Sequence, residues 1–351
     1  MSGGIDSSVA AMLLQEQGYD IVGITFRTFD SITESCLARE KGCCSMDSIM
    51  EAKHLCQTLD IEHHIVDLRD VFGKVVIHNF IDEYLKSRTP NPCVLCNSVI
   101  KWGKLVEIAD EIGCRYIATG HYARVRHDGD RYILQCGLDG AKDQSYFLWM
   151  LTQENLARTL FPLGNLTKTQ VRAIAGDHGF VKLSQKKESE EICFVPDNNY
   201  RNFLHDNVEN LHEKCPEGNF VGVDGAILGK HKGLYNYTIG QRKGLEIALG
   251  RPMYVVELRA DTNEVVLGER DDLKKEALTV GSFNSIKYED VADGLEVTCK
   301  IRYRSRGYAA TLSPHGDEVT VNFADGVESV TPGQSAVFYD GDDVVGGGII
   351  C

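Results

Sequence analysis

The sequence is poor in several things, and each absence excludes something. No apolar run in its 351 residues is long enough to span a bilayer. Its first residues show neither the charged n-region nor the apolar h-region of a secretory leader, so the expected location is the cytoplasm, with no membrane partner. Positive charge is in the minority: 37 Lys and Arg stand against 51 Asp and Glu, a net charge of −14. That excludes a general nucleic-acid binder with a broadly basic face, but leaves room for RNA held on a local basic strip. Internal repeats and low-complexity linkers are also missing. A chain of this length without them reads as two or three packed domains.

What is present is patterned. The first half alternates helix and strand. "SSVAAMLLQEQG" reads as a helix closed at Gly18, followed by "DIVGITF" as a strand. "MDSIMEAKHLCQTLD" places Ile49, Ala52, Leu55, Cys56 and Leu59 at helical spacing, and "EHHIVDL" is a strand again. Helical patterns cover Val71 to Lys86 and "NSVIKWGKLVEIADEIG", before the strand "CRYIATG". Such alternation means an α/β domain with a parallel sheet covered by helices. "ARVRHDGDRYILQCG" is a hairpin with Asp-Gly at its turn. Thr167 and Gln170 have capping-box spacing. From about Phe220, turn dipeptides recur between short alternating runs, the texture of a β-barrel. The boundaries are drawn at 1–198 for the α/β domain, 199–270 for a small, mainly β central domain and 271–351 for a C-terminal β-barrel.

The chain opens on "MSGGIDSSVA". Glycines let a backbone wrap closely around a ligand, and the following helix offers free N–H groups and the positive end of its dipole. Together they suit a phosphate or pyrophosphate. Ser2, Ser7 and Ser8 add hydroxyl donors. Asp6 is unexpected beside phosphates, and a bridging Mg²⁺ or a capping part would explain it. A plain glycine turn leading into a helix is the competing reading. Such a loop normally follows a strand, and none precedes it in the sequence given. The expectation is that the strand lies upstream, and that restoring it raises stability and affinity for the phosphate ligand.

Ser-Gly-Gly-x-Asp-Ser before a helix resembles the PP-loop of the ATP pyrophosphatases. "RTPNPCVLCNSVIKWG", "IATGHYARV", "GLDGAKDQSYFL", "LFPLGNLTKTQVR", "ESEEICFVP", "YTIGQRKGL", "IRYRS" and "VTPGQSAVFYDGDDVVGGGII" extend that likeness along the chain. The whole is similar to the bacterial tRNA-specific 2-thiouridylases. The resemblance implies a PP-loop fold of the adenine nucleotide alpha-hydrolase type. It implies ATP-dependent replacement of O2 of the wobble uridine by sulfur in tRNA for Lys, Glu and Gln. ATP and Mg²⁺ would be required. Met1, Ser2, Gly3, Gly4, Ile5, Asp6 and Ser7 are expected at ATP, with Phe26 near adenine and Gly120 near ribose or phosphates. Core packing is the competing reading for Phe26.

Sulfur chemistry wants two thiols distant in sequence and close in space. By resemblance, Cys96 in "NPCVLCN" is the nucleophile and Cys193 in "SEEICFVP" carries a persulfide. Ile192 and Phe194 flank Cys193, so a buried position is also open. Many members of the family carry Asp where this chain has Cys93. The resulting C-x-x-C leaves two routes: persulfide chemistry, or a [4Fe-4S] cluster held by Cys93, Cys96 and Cys193 with sulfide on its open iron. The donor, persulfide or sulfide, stays unspecified. Cys36, Cys43 and Cys44 suit a metal poorly and are read as packing or loop residues.

For tRNA the resemblance implies Asn91, Pro92 and Cys93 at the target base. It adds Lys142, Asp143 and Gln144 in one loop, and Arg302 and Tyr303 in the barrel. If "CKIRYRS" is a strand, Lys300, Arg302 and Arg304 share one face as a phosphate-tracking stripe, with Tyr303 opposite. Lys230, Lys232, Arg242 and Lys243 lie among tyrosines in a second basic stretch. The rivals are a PP-loop ligase that uses an amine, and a non-catalytic RNA-binding protein on a degenerate nucleotide fold.

Overall fold

The computed structural model describes residues 1–29, 46–186, 192–195, 197–247 and 250–351. Cys36, Cys43 and Cys44 lie outside the described residues. The chain divides into two compact units. The first holds Met1–Ile77, Cys93–Asn198 and Asp342–Val344; the second holds His78–Pro92, Asn199–Gly341 and Val345–Cys351.

In the first unit, helix α1 (Ile5–Glu16) leads to strand β1 (Val22–Arg27), helix α2 (Met46–Thr58) and strand β2 (Glu62–Asp67). Gly18, at φ +82°, reverses the chain after α1. β1 and β2 pair in parallel from Val22↔Glu62 to Arg27↔Asp67. A second parallel pair joins β3 (Ile117–Ala118) to β6 (Thr159–Leu160). Between them in sequence lies the antiparallel hairpin of β4 (Ala123–Asp128) and β5 (Arg131–Cys136), turning at Gly129 with φ +58°. The core gathers Ile5, Val9, Ala10 and Met12 of α1 with Leu55, Tyr122, Leu163, Val171 and Ala175. Each large side chain buried there contributes about 1.5–3 kcal/mol. That packing fixes the start of α1 and hence the glycine loop before it.

Two helices expected as regular are not. Arg69–Phe72 is α-helical and Gly73–Ile77 widens into a π-helix, while His78–Leu85, α-helical again, counts with the second unit. The helix after the cysteine motif runs as π from Cys96 to Lys104, then as α from Leu105 to Glu111. π-helical turns are uncommon and concentrate at functional sites.

The second unit is mostly β. A four-stranded sheet has the order β8 (Ile227–His231), β7 (Gly218–Gly222), β10 (Glu264–Gly268), β9 (Tyr254–Arg259). β7 and β10 are parallel; the other neighbours are antiparallel. Then β11 (Lys274–Ser285), β12 (Leu295–Lys300), β13 (Tyr308–His315), β14 (Glu318–Glu328), β15 (Ser335–Asp340) and β16 (Asp343–Ile350) form a barrel in the order β11-β14-β13-β12-β15-β16, closed by β16 on β11. Val280, Cys299, Leu312, Val321 and Phe338 fill its interior. The fold class read from the sequence, an α/β domain followed by β modules, is the one observed.

Candidate active site

The glycine loop has one position where only glycine fits. Gly3 has φ +66°, and a Cβ there would collide with the Ser48 carbonyl oxygen. Gly4 is the N-cap of α1, extended at φ −92° and ψ 159°, and brings no side chain to cap the helix. Among the described residues the first-turn N–H groups of α1 have no side-chain cap, which suits an anion. The Ser7 and Ser8 hydroxyls turn back to the Gly4 carbonyl at 3.2 and 2.9 Å. Ser2 and Ser7 lie hydroxyl to hydroxyl at 3.1 Å. Met1 lies along β1, its carbonyl accepting from the Thr25 hydroxyl at 2.8 Å. Ile5 is core.

Asp6 is accounted for by partners that the sequence did not reveal. Lys168 Nζ donates to both its carboxylate oxygens, at 2.7 and 2.8 Å, and the Tyr122 hydroxyl donates to one at 2.8 Å. Lys168 is the first residue of the helix Lys168–Asp177, whose N-cap Thr167 forms the expected capping box with Gln170. Lys168 is buried and also lies 5.6 Å from the Tyr122 ring centre. The acid beside the anion site is thus neutralised from within the fold rather than left as an open metal ligand. Lys186 adds a second cation, donating to the Gly3 carbonyl at 3.1 Å and pairing with Glu51.

Phe26 is half-buried near the end of β1, and Gly120 follows β3, both at carboxyl ends of parallel strands. Gly120 presses on the loop: a Cβ there would lie 2.6 Å from the Asp6 carbonyl carbon and 2.7 Å from the Ser7 nitrogen. His121 next to it bonds the Thr119 hydroxyl through Nδ1 at 2.9 Å and packs against Trp102. Burial, helped by Lys101, pushes its pKa well below the usual 6.5, so the ring is neutral at physiological pH.

The cysteines sit in the same unit. Pro92 starts the short helix Pro92–Leu95 and is itself buried; proline at that first position loses no hydrogen bond. Cys93 is exposed and Cys96 half-buried. Next to Cys96, the buried Asn97 anchors the π-helix by donating to the Phe147 carbonyl at 3.0 Å. Cys193 is exposed, which corrects the buried alternative. Its neighbour Phe194 takes the core position, 1% exposed and packed edge-on to Phe72 at 5.7 Å. Among the described residues no group of three His, Cys, Asp or Glu side chains is placed to hold a metal ion. Cys93, Cys96 and Cys193 therefore do not form a three-thiolate cluster site in this conformation.

Several residues expected at RNA make contacts within the fold. The Asp143 carboxylate is buried and accepts from the Gly137 and Ser145 amides at 3.0 and 3.1 Å and from the Ser145 hydroxyl at 3.0 Å. It shapes its loop. The Gln144 side chain accepts from the Tyr122 amide at 3.0 Å. Lys142 beside them is half-buried. In the second unit, β12 ends at Lys300, so "IRYRS" is a turn and not a strand. The cationic stripe of Lys300, Arg302 and Arg304 is not formed. Lys300 lies over the Tyr339 ring at 4.7 Å, and Arg302 Nη2 donates to the Ile239 and Ser329 carbonyls at 3.2 and 2.8 Å and to the Thr331 hydroxyl at 2.9 Å. Tyr303 is half-buried in the same turn, and Asn91 is half-buried in the second unit.

Known proteins match along the whole chain. A family described as the tRNA methyl transferase HUP domain matches residues 1–197, the tRNA methyl transferase PRC-barrel domain 201–269, and the aminomethyltransferase beta-barrel domain 275–350. The tRNA-specific 2-thiouridylase MnmA of Amoebophilus asiaticus is 52% identical over 351 residues, covering 100% of this chain and 93% of that protein. The proteins of the same name from Cytophaga hutchinsonii and Salinibacter ruber are 49% and 47% identical, again over 100% of this chain and over 95% and 92% of their own. With its glycine loop, its uncapped helix and its match from end to end, this chain belongs to the tRNA-specific 2-thiouridylase family of PP-loop ATP pyrophosphatases.

Proposed function

We propose that this chain is an ATP-dependent tRNA-uridine 2-sulfurtransferase that thiolates the wobble uridine of tRNA for Lys, Glu and Gln, through a cysteine persulfide. The observation that carries the reading is the union, in one compact unit, of an uncapped glycine loop with accessible cysteines on two separate segments. ATP supplies an adenylyl group to O2 of the uridine and releases pyrophosphate, which converts a poor leaving group into AMP. The α1 N-terminus, Gly3 and Gly4 would receive the phosphates, Gly120 would hold the loop's shape, and Phe26 would lie by the adenine.

A persulfide on Cys193 attacks C2 of the adenylated uridine through its outer sulfur, and AMP leaves. The Cys96 thiolate then attacks the inner sulfur. The S–S bond of the persulfide breaks, thiouridine departs, and a Cys96–Cys193 disulfide remains. Two electrons from an external thiol reductant reopen it, and a persulfide donor recharges Cys193. The exposed Cys193 and the half-buried Cys96 suit this: thiolates react when solvent can reach them. Asn91, Cys93, Lys142 and Tyr303 are the residues proposed to face tRNA. The cluster route finds no converging donor set here, so no step is routed through it. Asp6 is held by Lys168 and Tyr122, so no step is routed through Mg²⁺ on that carboxylate.

Pyrophosphate release from ATP, measured with and without unmodified tRNA, tests the first half of the scheme. Stimulation by tRNA for Lys, Glu and Gln is expected. ATP binding without any tRNA-dependent pyrophosphate release would instead favour a non-catalytic RNA binder.

A further inference from the structure

The loop that carries Lys142, Asp143 and Gln144 touches both partners of Asp6, and all of these residues belong to the first unit. Residues 137–144 form no helix or strand, so their polar groups need partners from elsewhere. On one side they hold Tyr122. The Gln144 amide donates to the Tyr122 carbonyl at 2.9 Å, and the Tyr122 amide donates to Gln144 Oε1 at 3.0 Å. A Cβ on Gly137 would sit 2.7 Å from that same carbonyl oxygen. On the other side they hold Lys168. The half-buried Asp139 accepts from the Lys168 amide through Oδ2 at 2.9 Å and from the Ala141 amide through Oδ1 at 3.2 Å. The Lys168 amide is the first of its helix and has no intrahelical acceptor, and the Thr167 hydroxyl caps Gln170 instead. An acid at a helix N-terminus also meets the positive end of the dipole. The far end of Lys168 is the ammonium that pairs with both Asp6 oxygens.

We infer that Asp139 is a positioning residue for the nucleotide step: by fixing the Lys168 backbone it holds the ammonium on Asp6, so that this acid does not oppose phosphates at the start of α1. The inference rests on ATP binding as proposed. Lysine has a flexible four-carbon stem, and a stem anchored at its root loses less entropy in reaching one acceptor. Releasing that root loosens the pair and leaves Asp6 less well neutralised. A loop expected at RNA thus serves the nucleotide as well.

The test is a double-mutant cycle on ATP affinity, read by titration calorimetry on the full chain. Asp139→Ala should weaken ATP binding by about threefold to tenfold, and Asp139→Asn, which keeps an acceptor for the Lys168 amide, should recover most of the loss. In a Lys168→Met background Asp139→Ala should change ATP affinity by less than about twofold, because the side chain through which it acts is gone. If Asp139→Ala does not fold, Asp139→Ser carries the test. A serine hydroxyl can keep the local turn to the Ala141 amide but is too short to reach Lys168. Wild-type affinity in the folded variant would overturn the inference. So would an equal fold-loss with and without Lys168, since Asp139 would then serve only the shape of its loop. Absence of ATP binding by the wild-type protein would remove the nucleotide reading instead. Hydrogen exchange at the Lys168 amide then decides whether Asp139 holds the lysine: faster exchange in Asp139→Ser supports it, and unchanged exchange overturns it.

Discussion

Replacing Lys168 by Met is the sharpest single perturbation of the nucleotide site. The ammonium contacts both oxygens of Asp6, and the two side chains are 10% and 33% exposed. Removing one partner of a fully buried pair costs about 3–5 kcal/mol, because the other charge stays unpaired. Asp6 keeps some access to water and a hydrogen bond from Tyr122, so about 2–3 kcal/mol is the expected loss of stability here. A second effect falls on the ligand. An unpaired carboxylate in the same first turn as the amides proposed to bind phosphate would repel ATP, and 1.4 kcal/mol of repulsion is already about tenfold in affinity. Thermal unfolding and ATP titration calorimetry read the two effects. Asp6→Asn combined with Lys168→Met should recover most of the lost stability, because no charge is then stranded. Unchanged melting and ATP affinity in Lys168→Met alone would refute the view that this pair makes the acid tolerable beside phosphate.

Three further outcomes follow from the geometry. Gly120→Ala should weaken ATP binding and cost about 1–3 kcal/mol, because its Cβ meets the Asp6–Ser7 backbone; tRNA affinity measured by filter binding should be unaffected. Arg302→Ala should destabilise the β unit by about 2–3 kcal/mol in denaturant unfolding, because three acceptors lose their donor. His121 is held neutral, so the unfolded chain takes up a proton near pH 6.5 that the folded chain refuses. Stability is therefore full above that pH and declines on acidification below it, and His121→Gln should flatten that acid limb in melting temperatures measured across about pH 5–7.

Local signals in the sequence were legible, and long-range ones were not. The capping box at Thr167, the turn at Gly129 and the reversal at Gly18 each depend on a few neighbouring residues, and the structure has all three. The strand–helix alternation and the barrel texture were also readable because burial imposes a short period on the chain. The π-helical stretches were missed because apolar spacing near 3.6 fits them loosely, and nothing local marks the widening. The "IRYRS" strand failed for a tertiary reason: Arg302 is drawn to acceptors at Ile239, Ser329 and Thr331, and the backbone turns to reach them. At the site, the glycine loop announced itself. The partners of Asp6 did not, since Lys168 lies 162 positions away and Tyr122 116. A lysine opening a helix under a capping threonine looks like any surface lysine until the fold buries it. The exposure of Cys193 was equally hidden, because its apolar neighbours suggested burial and it is Phe194 and Val195 that take the core positions.

The central claim is sulfur transfer through two cysteines. The measurement that tests it most directly is mass spectrometry of nucleosides from unmodified tRNA for Lys, Glu and Gln, incubated with the protein, ATP, Mg²⁺ and a persulfide donor. The account predicts a sulfur-for-oxygen mass shift on the wobble uridine that requires ATP and vanishes in both Cys96→Ala and Cys193→Ala, with pyrophosphate release preserved in each. Thiouridine formed at the wild-type rate by either variant would contradict it.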